Sequence, residues 1–524
     1  MLTLAMGNPR RTTLIAKTEM KNRSLTRRDF LCRAGRLAAA LAAPSAVVRA
    51  AGGDRTPLVG IQIAPFNLLD EGIEPCLDLM QKTAAINAIF CYSHTYYGVP
   101  YVPKGRPLEV LAPDHGVPVR AEEGRHLWPV WVRHDRANFK ETSLWFSERD
   151  ARSEHSGRDV LREVREPARR RGIKVYARIL EPGVNEVAGK ITNWGSIQSV
   201  DLDGRKAEQP CRNHPDYLAW WSAMATDLFR NYDLDGYQWG AERSGPLASL
   251  FANGTKPACF CEHCVARARR AGVDSDRAKA GFRALLKEIN VPGTGAAASP
   301  DSVGERLLRC LLRHPETLAW ERLWRDSLED LAKLIYNSVK AVNRQAQVGR
   351  HLDSSNTTLN PLSRAGTDYA AMAAYTDFIK PILYHDVMGS RLAAAAENWS
   401  RRVVRPLPPA AMLELLSAFN GWQGEARPEW DGLATKGLSP AYVIHETRRI
   451  VSAVAGRAEV VPGIGLDVPT RVDGVMRPMA SNPAAIESAV IGALQTGASG
   501  IMICREYDEM RLPSLRAVGR AVRS

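Results

Sequence analysis

Three closely spaced cysteines are the residues whose types and spacing most clearly suit chemistry. The stretch "PACFCEHC" contains Cys259, Cys261 and Cys264. The spacing Cys-x-Cys-x-x-Cys is poor for disulfide partners, whereas it allows three thiolates to turn around one metal ion. A tetrahedral zinc site needs a fourth ligand, for which Cys211 in "PCRNHPDY" is the preferred candidate and His263 the alternative. The sequence therefore predicts a structural zinc site.

A second set of reactive side chains lies at the ends of short apolar runs that are typical of β-strands. The candidate carboxylates for acid–base or nucleophilic chemistry are Glu242, Glu506 and Asp467. The candidates for binding a substrate are His94, Arg178, Glu181, His351, Asp353, Tyr384 and His385. Paired acids of this kind hydrolyse glycosidic bonds: one protonates the leaving oxygen, and the other attacks the sugar carbon or activates water. A carbohydrate is therefore the expected substrate.

Other catalytic chemistries have less support in the sequence than hydrolysis by paired acids. The sequence has no serine in a nucleophile elbow, no Walker loop and no glycine fingerprint after a strand. A metal-dependent hydrolase using His351, His385 and Asp386 is disfavoured, because neighbouring strand residues point to opposite faces. A barrel that binds carbohydrate without catalysis remains the alternative. Aromatic residues in the loops that could stack on sugar rings are Tyr96, Tyr97, Trp128, Trp131 and Trp422.

The elements that must position these side chains form a repeating pattern of apolar runs and helix-period segments. The runs are residues 58–66, 86–94, 173–182, 234–242, 346–355, 377–386, 459–469 and 500–510. Eight such runs alternating with helices predict a parallel sheet closed into a (β/α)8 TIM barrel. Long connections near 98–155, 243–315 and 387–440 follow the carboxyl ends of strands, where barrels build their active sites. A separate small domain at 262–315 is the alternative for one of them.

Residues 1–50 are predicted to be an export signal that precedes the barrel domain of residues 51–524. Arg27 and Arg28 in "SLTRRDFLC" resemble the twin-arginine signal of bacteria, and an apolar run over residues 37–48 follows them. That run is shorter than the roughly 18 residues that a membrane-spanning helix needs. An ordinary Sec signal or an anchor is the alternative. We therefore expect a periplasmic or secreted protein, exported by the twin-arginine machinery, without a stable membrane anchor.

The charge of the chain is concentrated in this leader. Ten of the 70 Lys and Arg residues but only two of the 57 Asp and Glu residues lie within residues 1–50, so the formal net charge of +13 falls to +5 for the remainder. A charge of this size does not indicate nucleic-acid binding. No nucleic-acid partner is therefore expected.

One part of the sequence resembles a known family. The order of Cys211 with "RNHPDY", a helix, Glu242 after the fourth strand and then Cys259, Cys261 and Cys264 resembles the family 42 glycoside hydrolases, which are barrel β-galactosidases. The resemblance implies that the four cysteines bind structural zinc and that Glu242 is the general acid/base. Two positions depart from the family: Ala241 replaces its asparagine, and no glutamate follows the seventh run. Asp467 or Glu506 is then expected to be the second carboxylate.

Overall fold

The computed structural model describes most of the chain after the leader. The described residues are 56–95, 128–182, 190–290, 301–405, 407–472, 475–477 and 479–524. The predicted export signal of residues 1–50, most of the first long connection, and Tyr96 and Tyr97 lie outside them. Residues Thr56–Ser524 belong to a single compact unit.

Eight parallel strands coincide with the eight apolar runs. They are β1 (Leu58–Ile63), β2 (Ala88–Tyr92), β3 (Lys174–Leu180), β4 (Gly236–Gly240), β5 (Gln347–Leu352), β6 (Phe378–Pro381), β7 (Glu459–Val460 and Gly463–Gly465) and β8 (Gly500–Cys504). Each strand pairs in parallel with the next along the chain, and β8 pairs with β1. The first part of β7 pairs with β6 and the second part with β8, so the sheet closes on itself. The predicted (β/α)8 barrel is confirmed.

Helices surround the barrel and also fill the long connections. The helices that follow successive strands are α1 (Ile73–Ala84), α2 (Val160–Arg170), α3 (Pro215–Asn231), α4 (Glu316–Val342), α5 (Tyr369–Met372), α6 (Pro440–Val454), α7 (Pro483–Gln495) and α8 (Leu512–Arg523). The additional α-helices are Pro65–Asp70, Pro246–Asn253, Glu262–Arg270, Ser275–Asn290, Val303–Arg313, Pro361–Ala365, His385–Arg402, Pro409–Asn420 and Leu433–Lys436. None of the described helices combines the length and apolar character needed to cross a bilayer.

Large and small residues alternate around the lower part of the barrel interior. The rings of Phe90 and Tyr176 stack with centroids 4.4 Å apart, and Phe378 packs edge-on against Phe90 at 5.9 Å. Two glycines provide room for these rings, because a Cβ at Gly349 would lie 1.9 Å from the Phe378 ring and one at Gly236 would lie 2.4 Å from Tyr176. The barrel is therefore filled by side chains at this level.

The helices of the connection after β4 pack against the barrel. Phe282 and Leu285, on the helix Ser275–Asn290, belong to the same buried cluster as the barrel strands and as Trp320 on α4. A stacked pair of rings, Phe260 and Trp320 at 4.7 Å, joins the cysteine segment to α4. This connection therefore shares the main hydrophobic core, and it holds the cysteine triplet against the outside of the barrel.

Candidate functional site

The four cysteines lie together in a group that can hold a metal ion. Cys211 precedes α3, and the triplet lies at the start of the helix Glu262–Arg270. The sulfur atoms of all four lie within 4.8 Å of one another. The Sγ atoms of Cys211 and Cys261 are 3.4 Å apart, and those of Cys211 and Cys264 are 3.6 Å apart. Tetrahedral Zn–S bonds of about 2.3 Å would place sulfurs roughly 3.7 Å apart, so the spacing fits one ion.

The surroundings of these sulfurs favour thiolates. The backbone N–H of Val200 points at Sγ of Cys259 from 3.3 Å, and that of Asn213 points at Sγ of Cys211 from 3.4 Å. The side-chain amide of Asn213 is 3.2 Å from Sγ of Cys264. Such donors stabilise negative sulfur and orient it, as the residues around metal ligands do. His263, the alternative fourth ligand, packs edge-on against His214 and is not part of the group.

Arg212, the residue after Cys211, connects the cysteine cluster to the barrel mouth through its ion pair with Glu181. Glu181 follows β3, and its carboxylate is fully buried. It accepts hydrogen bonds from Arg212 Nη2 at 2.6 Å, from Arg243 Nε at 3.0 Å and from the hydroxyl of Tyr217 at 2.9 Å. Burial alone would raise the pKa of Glu181, but the two guanidinium groups lower it to about 2. Glu181 is therefore an ionised anchor for Arg212 and Arg243, and the protein itself occupies the oxygens that a substrate was expected to contact.

Glu242 lies at the barrel mouth, two residues beyond the end of β4. Gly240 allows β5 to come close, because a Cβ there would lie 2.7 Å from Cβ of His351. Oε1 of Glu242 is 2.9 Å from Nε2 of His351. The Glu242 side chain is 48% exposed, whereas that of His351 is 1% exposed. The Glu242 carboxylate is therefore accessible to solvent, and its contact with the buried imidazole of His351 fixes its position.

The protonation states of this pair follow from the charges around it. Burial and the positive charge of Lys380 lower the pKa of His351 to about 3, so the imidazole is neutral and its Nε2–H donates to Glu242. Partial enclosure would raise the pKa of Glu242, but the His351 hydrogen bond and the charges of Arg178 and Arg391 lower it to about 2. Because the carboxylate is half exposed, solvent screens these charges. Glu242 is ionised at neutral pH.

Lys380 and Tyr384 complete a buried chain behind Glu242. Nζ of Lys380 is 2.9 Å from the hydroxyl of Tyr384 and 3.4 Å from Nδ1 of His351. Burial lowers the pKa of Lys380 to about 8, which still leaves most of the amine protonated at pH 7. A protonated amine beside Nδ1 requires that nitrogen to be the acceptor, and it fixes the imidazole proton on Nε2. Lys380 thus selects the tautomer that donates to Glu242.

Asp353 is a second carboxyl group electrostatically coupled to Glu242. It follows β5, and its Oδ1 accepts the backbone N–H groups of Ser355 at 2.7 Å and Asn356 at 3.1 Å. Burial and the neighbouring charge of Glu242 raise the pKa of Asp353 to about 7. Asp353 therefore keeps its proton up to about neutral pH, whereas Glu242 is ionised there. Separated pKa values of this kind are what a general acid and a carboxylate partner require.

Glu506 lies two residues beyond the end of β8. The hydroxyl of Tyr92 donates to its Oε1 at 2.7 Å, and the guanidinium of Arg178 lies 4.3 Å above the Tyr92 ring. Arg178 also donates from Nε to Gln238 at 2.8 Å. Burial raises the pKa of Glu506 to about 8, although the charge of Arg178 acts in the opposite direction. Glu506 is a protonated, 4% exposed acid at neutral pH.

Asp467 lies two residues beyond the end of β7, where protein groups occupy its carboxylate. Its Oδ1 accepts from the backbone N–H of Ser481 at 2.9 Å and from Arg511 Nε at 3.0 Å. Its Oδ2 accepts from the backbone N–H of Arg511 at 2.8 Å. The side chain of Ser481 in turn donates to Asp386 at 2.5 Å. Asp467 joins the segment after β7 to the start of α8.

The two predicted histidines outside this pair are buried in structural surroundings. Nε2 of His94 is 2.9 Å from Nε2 of His134, whose Nδ1 is 2.5 Å from Asp227 on α3. His385 is 3% exposed, and burial lowers its pKa to about 4. Within the described residues, the four cysteines are the only group of three or more His, Cys, Asp or Glu side chains placed to share an ion. The alternative metal site at His351, His385 and Asp386 is therefore not formed.

Two of the loop tryptophans are also part of the protein core. Trp131 is 2% exposed and donates from Nε1 to the hydroxyl of Thr95 at 2.9 Å. Trp422 is 3% exposed and donates to Glu446 at 2.9 Å. Trp128 is partly buried, with Nζ of Lys190 5.0 Å from its ring. Of these three, Trp128 retains the exposure that stacking on a sugar would require.

The sequence interpretation missed Lys380 and Gln238, although both carry a recognisable signal. Each is a polar residue within an otherwise apolar run, in "DFIKPILYHD" and "LDGYQWGAE". Both are fully buried in the structure. A charged or amide side chain in a strand covered on both faces has to be paired, and it is therefore a candidate for the polar centre of a barrel.

Comparisons with known proteins give structural neighbours alone. No family model matches the sequence, and no curated protein matches it. A β-galactosidase from Marinomonas ef1 is 10% identical with a TM-score of 0.48, over 89% of this chain and 59% of that one. A β-galactosidase from Halorubrum lacusprofundi is 14% identical with a TM-score of 0.48, over 89% and 57%. The PgaB (BpsB) glycoside hydrolase domain from Bordetella bronchiseptica is 12% identical with a TM-score of 0.42, over 86% and 94%.

These neighbours are glycoside hydrolases. The chain spans somewhat less than three-fifths of the length of the two β-galactosidases.

Proposed function

We propose that the chain is a glycoside hydrolase in which Asp353 is the general acid and Glu242 is its carboxylate partner. The observation that carries this proposal is the opposite perturbation of two coupled carboxyl groups at the barrel mouth. The pKa of Asp353 is raised to about 7, and that of Glu242 is lowered to about 2. Between these values one group is protonated and the other is ionised, which is the working state of such a pair.

The proposed roles differ from the assignment expected from the sequence. Glu242 was expected to be the acid, but an acid with a pKa near 2 holds no proton at neutral pH. In the proposed mechanism Asp353 gives its proton to the glycosidic oxygen as the bond to the sugar carbon breaks. Glu242 presents its negative charge to the positive charge that develops on that carbon, and a water molecule then bonds to the carbon and returns a proton to Asp353. His351 holds Glu242 in place through the Nε2–H bond.

Glu506 is the alternative acid, and Asp467 is assigned a structural role. The raised pKa of Glu506 supports an acid function, and the charges that act on it are those of Arg178, Glu509, Asp508 and Arg505. Asp353, by contrast, is raised directly by the charge of Glu242. Both carboxylate oxygens of Asp467 accept hydrogen bonds from Ser481 or Arg511, which supports a structural role.

The test uses substrates whose leaving groups differ in their need for a proton. Asp353→Asn should lower kcat/KM by about 100-fold to 10,000-fold on alkyl glycosides and far less on dinitrophenyl glycosides, because dinitrophenolate leaves without protonation. The activity of the unaltered protein should fall as pH rises through about 7, and Asp353→Asn should lack that fall. The substrate panel includes β-galactosides because of the resemblance to family 42, and it includes other glycosides because Ala241 and the missing glutamate after the seventh run depart from that family.

Matched variants separate this assignment from its alternatives. Glu429→Gln, an exposed carboxylate on a connection, should leave the activity unchanged. If Glu506→Gln shows the leaving-group dependence and Asp353→Asn does not, Glu506 is the acid. If the unaltered protein hydrolyses no glycoside in the panel, the hydrolase proposal fails, and binding of the same sugars would indicate a carbohydrate-binding protein.

We also propose that the four-cysteine cluster holds a structural zinc ion. Thiolate ligands and a tetrahedral spacing favour zinc over harder cations such as magnesium or calcium. The purified protein should contain one zinc per chain by elemental analysis. Cys264→Ser should lose the metal, whereas Cys310→Ser, which changes a cysteine outside the cluster, should retain it.

We further propose export through the twin-arginine route, on the basis of Arg27 and Arg28 and the apolar run that follows them. Replacement of both arginines by lysine should leave the protein in the cytoplasmic fraction of its host. Recovery of that double variant in the periplasmic fraction would indicate a Sec signal instead.

A further inference from the structure

A polar cavity lies on the outer side of the barrel wall, behind the strands that lead to Glu242 and His351. It lies between β4, β5 and α4, and its volume is about 20 Å³. Its polar lining includes the carboxylate of Glu329 together with Arg243, Ser244, Arg325, Arg350, Asn356 and Thr367. A space of this size holds one or two water molecules or a small ionic group. Positions of this kind, between a barrel strand and its covering helix, usually carry apolar side chains.

Arg350 is the unusual member of this wall. It is 3% exposed, and its guanidinium lies 4.3 Å above the Trp239 ring. Its Nη2 reaches Glu329 at 3.3 Å, a weak contact for an ion pair. Within the described part of the chain, its Nε and Nη1 have no hydrogen-bond acceptor. Buried charged donors left without partners cost stability, so an acceptor from outside the chain is expected at the cavity.

The charge around the cavity favours an anion as that acceptor. Glu329 pairs with Arg350, and Glu321 pairs with Arg325 at 3.2 Å. The third lining arginine, Arg243, shares the single carboxylate of Glu181 with Arg212. Three arginines but one carboxylate, that of Glu329, belong to the lining of the cavity, so the lining carries an excess of positive charge. A neutral water would satisfy the unpaired N–H groups but would not balance this charge.

We propose that this cavity is a binding site for a small anionic group, a carboxylate or a phosphate, with Arg350 as the residue that anchors it. Arg243 and Arg325 supply the positive surroundings, and the hydroxyl of Ser244 is a further donor at the wall. Thr367, which belongs to the lining, is partly exposed. Asp353 and Glu242 are not part of the lining, although His351, the hydrogen-bond partner of Glu242, is.

The first test is a bromide soak of crystals of the full protein, because bromide is a small anion that anomalous scattering identifies. The expected result is an anomalous peak in the cavity, in contact with Nε or Nη1 of Arg350. Density for water alone on these two atoms at high bromide concentration overturns the proposal. This test needs no variant, so it remains decisive if Arg350→Met does not fold.

The second test distinguishes a carboxylate from a phosphate. Thermal unfolding is followed in increasing acetate and, separately, in increasing phosphate, for the unaltered protein, Arg350→Met and Arg322→Met. Arg322 is an exposed residue of α4, paired with Asp326, and serves as the matched control. One of the two anions should raise the midpoint saturably in the unaltered protein and in Arg322→Met, with an apparent dissociation constant at least tenfold weaker in Arg350→Met. An equal response of all three proteins to both anions contradicts the proposal.

Discussion

Replacement of Glu181 by glutamine would leave two buried arginines without the carboxylate that they share. The side chain of Glu181 is completely buried, and those of Arg212 and Arg243 are 3% and 12% exposed. Glutamine keeps the size of the side chain and can still accept from Tyr217, but it carries no charge. The main consequence is therefore the loss of the electrostatic stabilisation of two guanidinium groups, with little change in packing.

The size of the effect follows from the pKa of Glu181. Its fall from an ordinary value of 4.5 to about 2 corresponds to a free energy of unfolding of roughly 3 kcal/mol, at about 1.4 kcal/mol per pKa unit. This agrees with the roughly 3 to 5 kcal/mol that the removal of one partner from a buried ion pair costs. Because the folded-state pKa is lowered, the contribution is present above about pH 4.5 and is lost as the pH falls towards 2.

Denaturant unfolding at several pH values measures this contribution. At pH 7 Glu181→Gln should unfold at a clearly lower denaturant concentration than the unaltered protein, and the difference should narrow as the pH falls below about 4.5. Glu166→Gln breaks an ion pair with Arg169 in which both side chains are more than half exposed, and it should unfold with the unaltered protein. If the two variants unfold at the same denaturant concentration, the reasoning about Glu181 is wrong.

Three further predictions concern the metal, the barrel interior and the carboxylate at its mouth. Removal of zinc by a strong chelator should lower the unfolding temperature of the unaltered protein and leave that of Cys264→Ser unchanged. Gly349→Ala should destabilise the fold by about 1 to 3 kcal/mol in denaturant unfolding, because its Cβ would overlap a neighbouring ring, whereas Gly157→Ala has open space and should cost much less. His351→Phe should raise the pKa of Glu242 towards 4.5, so the acidic limb of the pH–activity profile should move upwards; an unmoved limb would contradict the assigned tautomer.

The sequence predicted the barrel well because its strands are buried on both faces and appear as continuous apolar runs. Some apolar runs are longer than the strands they contain, because a proline within the run ends or divides the strand. The first run ends as a strand at Ile63, because Pro65 begins a helix. The seventh strand is divided at Pro462, which has no N–H for a ladder and separates the part paired with β6 from the part paired with β8.

The candidate site was predicted less completely, because sequence places a residue at a strand end without fixing its partners. Glu242 was predicted as a catalytic carboxylate, but its low pKa depends on His351 and on two arginines, Arg178 and Arg391, that are distant in the sequence. Glu181 follows the neighbouring strand, level with Ala241, and looks equally suited to a substrate, yet arginines occupy it. The local spacing of the cysteines was more informative, since the turn that bears them fixes most of the ligand geometry.

The cysteine cluster and the barrel mouth are joined by a short chain of residues, and this gives the proposed metal a defined structural task. Cys211 is adjacent to Arg212, Arg212 pairs with Glu181, and Glu181 pairs with Arg243, which is adjacent to Glu242. Loss of the metal would release Cys211 from the triplet and remove the constraint on the Arg212 backbone. Glu181 would then hold Arg243 less firmly, and the orientation of Glu242 towards His351 would depend on the strand alone. A metal that never contacts substrate would in this way affect catalysis through position, and Cys264→Ser should lower kcat more than KM at temperatures where it remains folded.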